Sequence, residues 1–350
     1  MVQKLKFSLN AYAYARVSAM SAKLLKAAEY RMLLKMKIAE IARFLEESEY
    51  KKEVDMYAIE YEGVSLVERA VSQNLANTFR KILRMSDETM QIILNNYLKK
   101  WDIENIKTII RAKQSDMKNN QIIDLLVPAG CLDKNRFTGL LIENEPEQIL
   151  IKSGIIDMKY FKEALDVLKH TGNMFYLENQ LDKYYYDQLI LLSEKIPSGG
   201  AGFKNLILTE IDLLNIKNLF DFKKTGQKNI EKYIFYSGLK LNRALLNEMI
   251  AAGNLDELSA IVKKSAYKKI VSDAQNNYSK DSFLIGIEME SEKLRLRKAK
   301  DMSQLSPISV NKILSYMLRK EIERKNLIKI IKSKQIDLAE DIIKKQIIAG

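Results

Sequence analysis

The sequence predicts an all-α protein built from three homologous helical-bundle repeats, and three observations support this. First, 47% of its 350 residues are hydrophobic, with only 4 Pro and 13 Gly. That balance favours long helices over a turn-rich β protein. Second, Lys, Leu, Ile, Glu and Met, mostly good helix formers, fill the segments. Third, a signature recurs. Near the C-terminal end, Glu323, Asn326, Leu327, Ile330, Ile331 and Lys334 form its most compact copy. Leu327, Ile330 and Ile331 share one helix face, and Lys334 extends that stripe by two turns. Asp102, Asn105, Ile106, Ile109, Ile110 and Lys113 repeat the pattern, as do Asp212, Asn215, Ile216, Leu219, Phe220 and Lys223. The asparagines stand 110 and 111 residues apart, so each copy marks a long repeat.

Two further markers keep the same spacing. Val67-Glu68, Leu177-Glu178 and Ile287-Glu288 each place a glutamate 37 or 38 residues before the asparagine. Pro128-Ala129-Gly130, Tyr236-Ser237-Gly238 and Ala349-Gly350 follow it, ending 23 to 25 residues on. These markers divide the chain into 1–145 (a repeat with an N-terminal extension), 146–255 and 256–350. Three equal copies imply pseudo-threefold packing with a cavity along the shared axis.

Residues 10–49 are predicted as one or two long helices, with Leu24, Leu25, Leu33, Leu34, Ile38, Ile41 and Leu45 at helical spacings. Ser48-x-Tyr50 follows, with Leu168-x-x-Thr171 and Val262-x-x-Ser265-x-Tyr267 as its counterparts. A helix from Val64 to Leu83 carries Glu68. Ser86-Asp87 caps the next, and the signature helix follows from about Asp102. The chain turns at Pro128-Ala129-Gly130. Asn144-Glu145-Pro146 starts a short helix that stops near Ser153-Gly154. The run Pro197 to Gly202 reads as the most flexible loop. Gly238 and Gly253 punctuate the end of the second repeat. Ser306-Pro307 reads as a helix start, followed by apolar Ile308, Ile313, Leu314, Met317 and Leu318.

Four segments carry a resemblance: Tyr12 to Leu25, Trp101 to Lys113, Phe175 to Tyr185, and Ser306 to Lys334. Through them the chain resembles the family of C subunits of archaeal-type and bacterial V-type rotary ATPases, which is similar to the d subunits of vacuolar proton pumps. The second copy departs most, with Asp221-Phe222 where the others have a basic and a small residue. The resemblance implies a funnel-like all-α socket with a central cavity. It would receive the D and F subunits of the central stalk at one end and sit on the membrane ring of ion-carrying proteolipid subunits at the other. It implies a non-catalytic part at the cytoplasmic face of the membrane that passes torque during ATP-driven proton or sodium transport, or ATP synthesis.

The residues agree with a protein that has no active site, cofactor or metal. One histidine and one cysteine, His170 and Cys131, make a catalytic pair only if they meet in space. No His/Cys metal spacing exists. The Gly199 to Lys204 run is not a phosphate-binding loop. Glu46-Glu47 reads as solvated helix surface. No signal peptide is expected, and no apolar window of the length needed to span a bilayer is present. The net charge of +12 is uneven: residues 291–350 hold fifteen Lys and Arg against seven Asp and Glu. The clusters Arg295, Arg297, Lys298, Lys300 and Arg319, Lys320, Arg324, Lys325 read as solvated helix faces. The alternative is a helical-repeat scaffold that binds nucleic acid or acidic proteins. The signature residues read as fold determinants. Each lysine stem lies along the apolar stripe while its charge meets the Glu of its own repeat, and each asparagine bonds neighbouring backbone.

Overall fold

The structure, a computed structural model, describes residues 11–348. The Ala349-Gly350 marker and Asn10, the first residue of the N-terminal reading, lie outside the described residues. Those described form eighteen α-helices and two 3-10 turns, with no strand among them, so the all-α prediction holds.

In chain order the first helices are α1 (Ala11–Ala22), α2 (Ala27–Lys35), α3 (Ile38–Glu46), α4 (Lys51–Tyr57), α5 (Gly63–Met85), α6 (Glu88–Gln114), α7 (Asn119–Leu125), α8 (Lys134–Leu140) and α9 (Pro146–Ser153). Then come α10 (Lys162–Thr171), α11 (Phe175–Ser193), α12 (Gly200–Thr225), α13 (Arg243–Ala251), α14 (Leu255–Lys263), α15 (Lys268–Asn277), α16 (Phe283–Leu305), α17 (Val310–Gln335) and α18 (Glu340–Lys345). The chain divides into two compact units. One is Leu189–Asn311; the other joins 11–188 to 312–348.

In the larger unit the N-terminal segment breaks into three helices, not one or two. The breaks are capped. The N–H of Lys26 donates to Glu29 and that of Lys37 to Glu40, both at 2.7 Å, so each helix start satisfies one donor through its own first turn. α6 is one continuous helix. Its N-cap Asp87 accepts from Met90 N at 3.0 Å, and the signature is its second half. Pro146 opens α9 and Gly154 closes it at φ 68°, as predicted. A core joins sequence-distant elements: Leu33 and Leu34 of α2, Ile41 and Leu45 of α3, Val67 and Val71 of α5, and Leu327, Ile330 and Ile331 of α17 pack in one cluster. Burying each such side chain is worth about 1.5–3 kcal/mol.

In the Leu189–Asn311 unit, α12 packs against α16 and α14, and α15 lies on α16. The glycine run expected to be a flexible loop is packed. Gly200 to Gly202 are already helical. A Cβ at Gly200 would stand 2.7 Å from the Ser193 carbonyl, and one at Gly202 2.7 Å from the Asn311 amide. These glycines allow close approach of neighbouring chain. The Ser306-Pro307 start is also displaced. α17 begins at Val310, and it is Ser309 whose hydroxyl accepts from Asn311 N at 3.2 Å. Ile308 is 57% exposed, so nothing draws that stretch into the helix.

Candidate functional site

Each signature helix is tied down by the same three devices. The first is an amide clasp. Asn105 accepts from Val127 N at 2.9 Å and donates to Val127 O at 2.8 Å. Asn215 does the same with Phe235 at 3.0 and 2.7 Å, and Asn326 with Ile348 at 3.1 and 2.9 Å. The returning strap thus has both polar groups of one peptide residue satisfied by a single side chain, which a buried backbone requires.

The second device is the acid three residues earlier. Asp102, fully buried, accepts from Cys131 N at 2.8 Å and Leu132 N at 2.9 Å. Asp212 accepts from Leu239 N at 3.0 Å and Lys240 N at 2.7 Å. This explains the glycine markers. A Cβ at Gly130 would fall 2.1 Å from an Asp102 oxygen, and one at Gly238 1.8 Å from an Asp212 oxygen. Burial raises both carboxyl pKa values, that of Asp102 to about 6, against the opposing pull of the N–H donors. In the third copy Glu323 takes Leu25 N at 2.5 Å and the Tyr50 hydroxyl at 2.6 Å. Lys320 joins them, donating to Glu323 at 2.8 Å and to the Tyr50 oxygen at 2.9 Å. Lys320 is therefore 4% exposed, the reverse of the solvated position expected for its cluster. Arg295, in the other cluster, pairs with Glu210 at 2.5 Å.

The third device is the lysine, and here the expected partner is wrong. Lys113 donates to Leu141 O at 2.8 Å, Lys223 to Ile250 O at 2.7 Å and Lys334 to Leu34 O at 2.6 Å. Those carbonyls end α8, α13 and α2, where unpaired oxygens and the helix dipole both attract a cation. The recurring glutamates do not serve their own copy either. Glu68 pairs with Lys332 of the third signature helix at 2.8 Å, Glu178 with Arg111 of the first, and Glu288 with Lys217 of the second at 4.0 Å. Each acid reaches one copy back in cyclic order. Asp182 follows the same rule, meeting Lys107 at 2.5 Å.

The Ser-x-Tyr element stands where the sequence puts it at Ser48 and Ser265. Ser48 and Ser265 each bond the carbonyl three residues back and accept from the tyrosine N–H two ahead. Thr171 makes similar bonds, to Val167 O at 2.7 Å and from Asn173 N at 3.1 Å, and so does Ser153, to Leu150 O at 2.6 Å, at a spacing from its signature closer to that of Ser265. Tyr267 donates its hydroxyl to Asp212 at 2.7 Å, as Tyr50 does to Glu323. Sequence reasoning missed these tyrosine–acid bonds, although the paired Ser-x-Tyr spacing carried the signal.

The two residues that a catalytic pair needs are engaged locally. Cys131 Sγ bonds Asn95 O at 3.3 Å, and His170 Nδ1 lies 2.7 Å from Asp166 O. Among the described residues no three His, Cys, Asp or Glu side chains cluster to hold a metal, and no helix is long and apolar enough to cross a membrane.

What the clasps define is an all-helical protein whose conspicuous side chains fasten helices to straps. Comparison with known proteins agrees with that. The family model described as ATP synthase (C/AC39) subunit matches residues 13–346, and the chain belongs to this family. It is similar to the A-type ATP synthase C subunit of Methanococcoides burtonii, at 34% identity over 97% of this chain and 94% of that one. The Haloferax volcanii protein of the same name is 32% identical over 96% and 97%, and that of Methanocaldococcus jannaschii 29% over 99% and 89%.

Proposed function

We propose that this chain is a non-catalytic rotor component of an A-type or V-type rotary ATPase. It is a socket on the cytoplasmic face of the membrane that couples the D and F subunits of the central stalk to the membrane ring. The observation that carries this reading is likeness over nearly the whole chain to relatives named as the C subunits of A-type ATP synthases. The geometry supports a mechanical role. A part that passes torque must not shear, and helices fastened to their straps by buried clasps over a close-packed core resist deformation. The scaffold alternative is less favoured, because Arg295 and Lys320 of the basic clusters are held by acids of the chain itself.

Reconstitution tests the proposal. Vesicles holding the ring, head and stalk are assembled with and without this chain. The expected result is ATP hydrolysis in both and ATP-driven ion uptake only with it. Equal uptake in its absence overturns the reading, as does purified chain that hydrolyses ATP by itself.

A further inference from the structure

A cavity of about 670 Å3 lies among α5, α7 and α17 in the larger unit. Its cations are not equivalent. Arg69 is spoken for, paired with Asp124 at 2.8 Å and stacked 3.9 Å from the Tyr61 ring centroid. Lys332 pairs with Glu68. Lys134 lines it as well. Arg324 has no direct ion pair, although the Glu68 and Glu321 charges oppose the effect of its burial. Its Nε donates to Ser72 Oγ at 3.0 Å, and its guanidinium faces the Trp101 ring at 5.5 Å. Among the described residues no carboxylate lies within ion-pair distance of it. Burial lowers its pKa to about 10. The Trp101 indole lies beside it, outside the cavity lining. A largely buried guanidinium gains from an acceptor at its terminal nitrogens.

We propose that this cavity binds a phosphate group, with Arg324 as its anchor. The two terminal nitrogens of a guanidinium match a pair of phosphate oxygens in a bidentate fork. The Ser72 oxygen already accepts from Arg324 Nε, which leaves its own proton to donate to the same phosphate. The volume exceeds that of one phosphate and falls in the range of small-ligand pockets. Tyr61 and Val127 also line it, so a small phosphate monoester fits with its organic part against them. The site borders the first clasp at Val127 and does not depend on the rotor assignment.

Trp101 is the only tryptophan and reports directly on Arg324. The full chain is titrated with inorganic phosphate and with phenyl phosphate near neutral pH, with sodium chloride matching the ionic strength. The expected result is a saturable change in Trp101 fluorescence with phosphate, absent with chloride. Tighter binding of the ester points to a phosphorylated metabolite, and equal affinity points to free phosphate. Arg324→Gln is expected to weaken binding about tenfold or more, the loss of a charge-assisted bond. Ser72→Ala is expected to weaken it several-fold and keeps the test open if the arginine variant does not fold. No saturable change with either probe overturns the proposal, as does unaltered affinity in a folded variant.

Discussion

The backbone N–H of Leu25 donates to the carboxylate of Glu323 at 2.5 Å, across 298 positions of chain. In the first two copies of the signature, the acid takes its backbone donors from 27 to 30 residues further along. In the third, that donor comes from the N-terminal segment. Lys334 draws on the same source, capping α2 at Leu34. The N-terminal extension therefore completes the third copy.

Glu323→Gln tests that closure. The substitution keeps an acceptor but removes the charge that holds Lys320, which is buried beside Tyr50. An unpaired buried cation costs on the order of 3 kcal/mol or more. Denaturant unfolding is expected to show a loss of that size. Replacing Lys320 and Glu323 together by apolar residues of similar volume should recover much of it. A single-variant loss below about 1 kcal/mol would show that the buried pair is not what fastens the extension.

The glycine markers give a second contrast. Gly130→Ala and Gly238→Ala drive a methyl into the Asp102 and Asp212 carboxylates, and an oxygen at 1.8 or 2.1 Å leaves no room without moving the strap. Each is expected to cost about 2–4 kcal/mol, as clashes at buried hydrogen-bonded groups do. Gly139, inside α8, has open space where its Cβ would be. Gly139→Ala should leave stability equal or raise it by up to about 1 kcal/mol, because alanine is the better helix former. Thermal melts of the three variants side by side decide this.

The apolar stripe and its asparagine were legible in the sequence because both are local. Leu327, Ile330 and Ile331 share a face by spacing alone, and an amide bordering that face has to bond nearby backbone. The lysine's partner was not legible. It is a backbone carbonyl, which every residue carries, so no residue type marks it. Glu68, Glu178 and Glu288 were misassigned because spacing along the chain does not say which neighbouring helix a side chain faces. The Ser153 element was missed because Thr171 carries a similar local motif, bonding Val167 O and accepting from Asn173 N. Only the distance of Ser153 from Asp102, 51 residues against 53 between Asp212 and Ser265, separates them.

Asp102 sets a pH dependence with an unusual sign. Its folded pKa is raised to about 6 by burial, above the ordinary carboxylate value. Between those values the folded state holds a proton that the unfolded state has released. Its contribution to stability is therefore fully present below the unfolded pKa and is lost as pH rises toward about 6. Asp212 is shifted in the same direction. Carboxyl NMR titration should find the Asp102 midpoint near 6. Stability measured from about pH 4 to about pH 7 should fall more steeply in the parent than in Asp102→Asn. A midpoint at the ordinary carboxylate value would remove the effect.

The three lysines allow the repeat of function within one chain to be measured. Lys113, Lys223 and Lys334 each cap the end of a short helix through one carbonyl, so Lys→Met keeps most of the stem and removes the cap, together with bonds to Asn119 and Asn144 in the case of Lys113. A charged hydrogen bond at a helix C-terminus contributes about 1–2 kcal/mol when partly buried. All three substitutions are expected to cost that much and to leave the other two sites unaffected, since independent sites add. Because the acceptor is a backbone carbonyl and not an acid, Lys→Arg should fail to restore the loss where the fork cannot fit one oxygen. Raising salt should weaken the lysine contribution only slightly, whereas the exposed Lys217–Glu288 pair should lose most of its small contribution. Urea unfolding of the three variants at low and high salt separates the two kinds of contact. A salt-dependent loss at all three lysines would mean that the charges are held by acids after all.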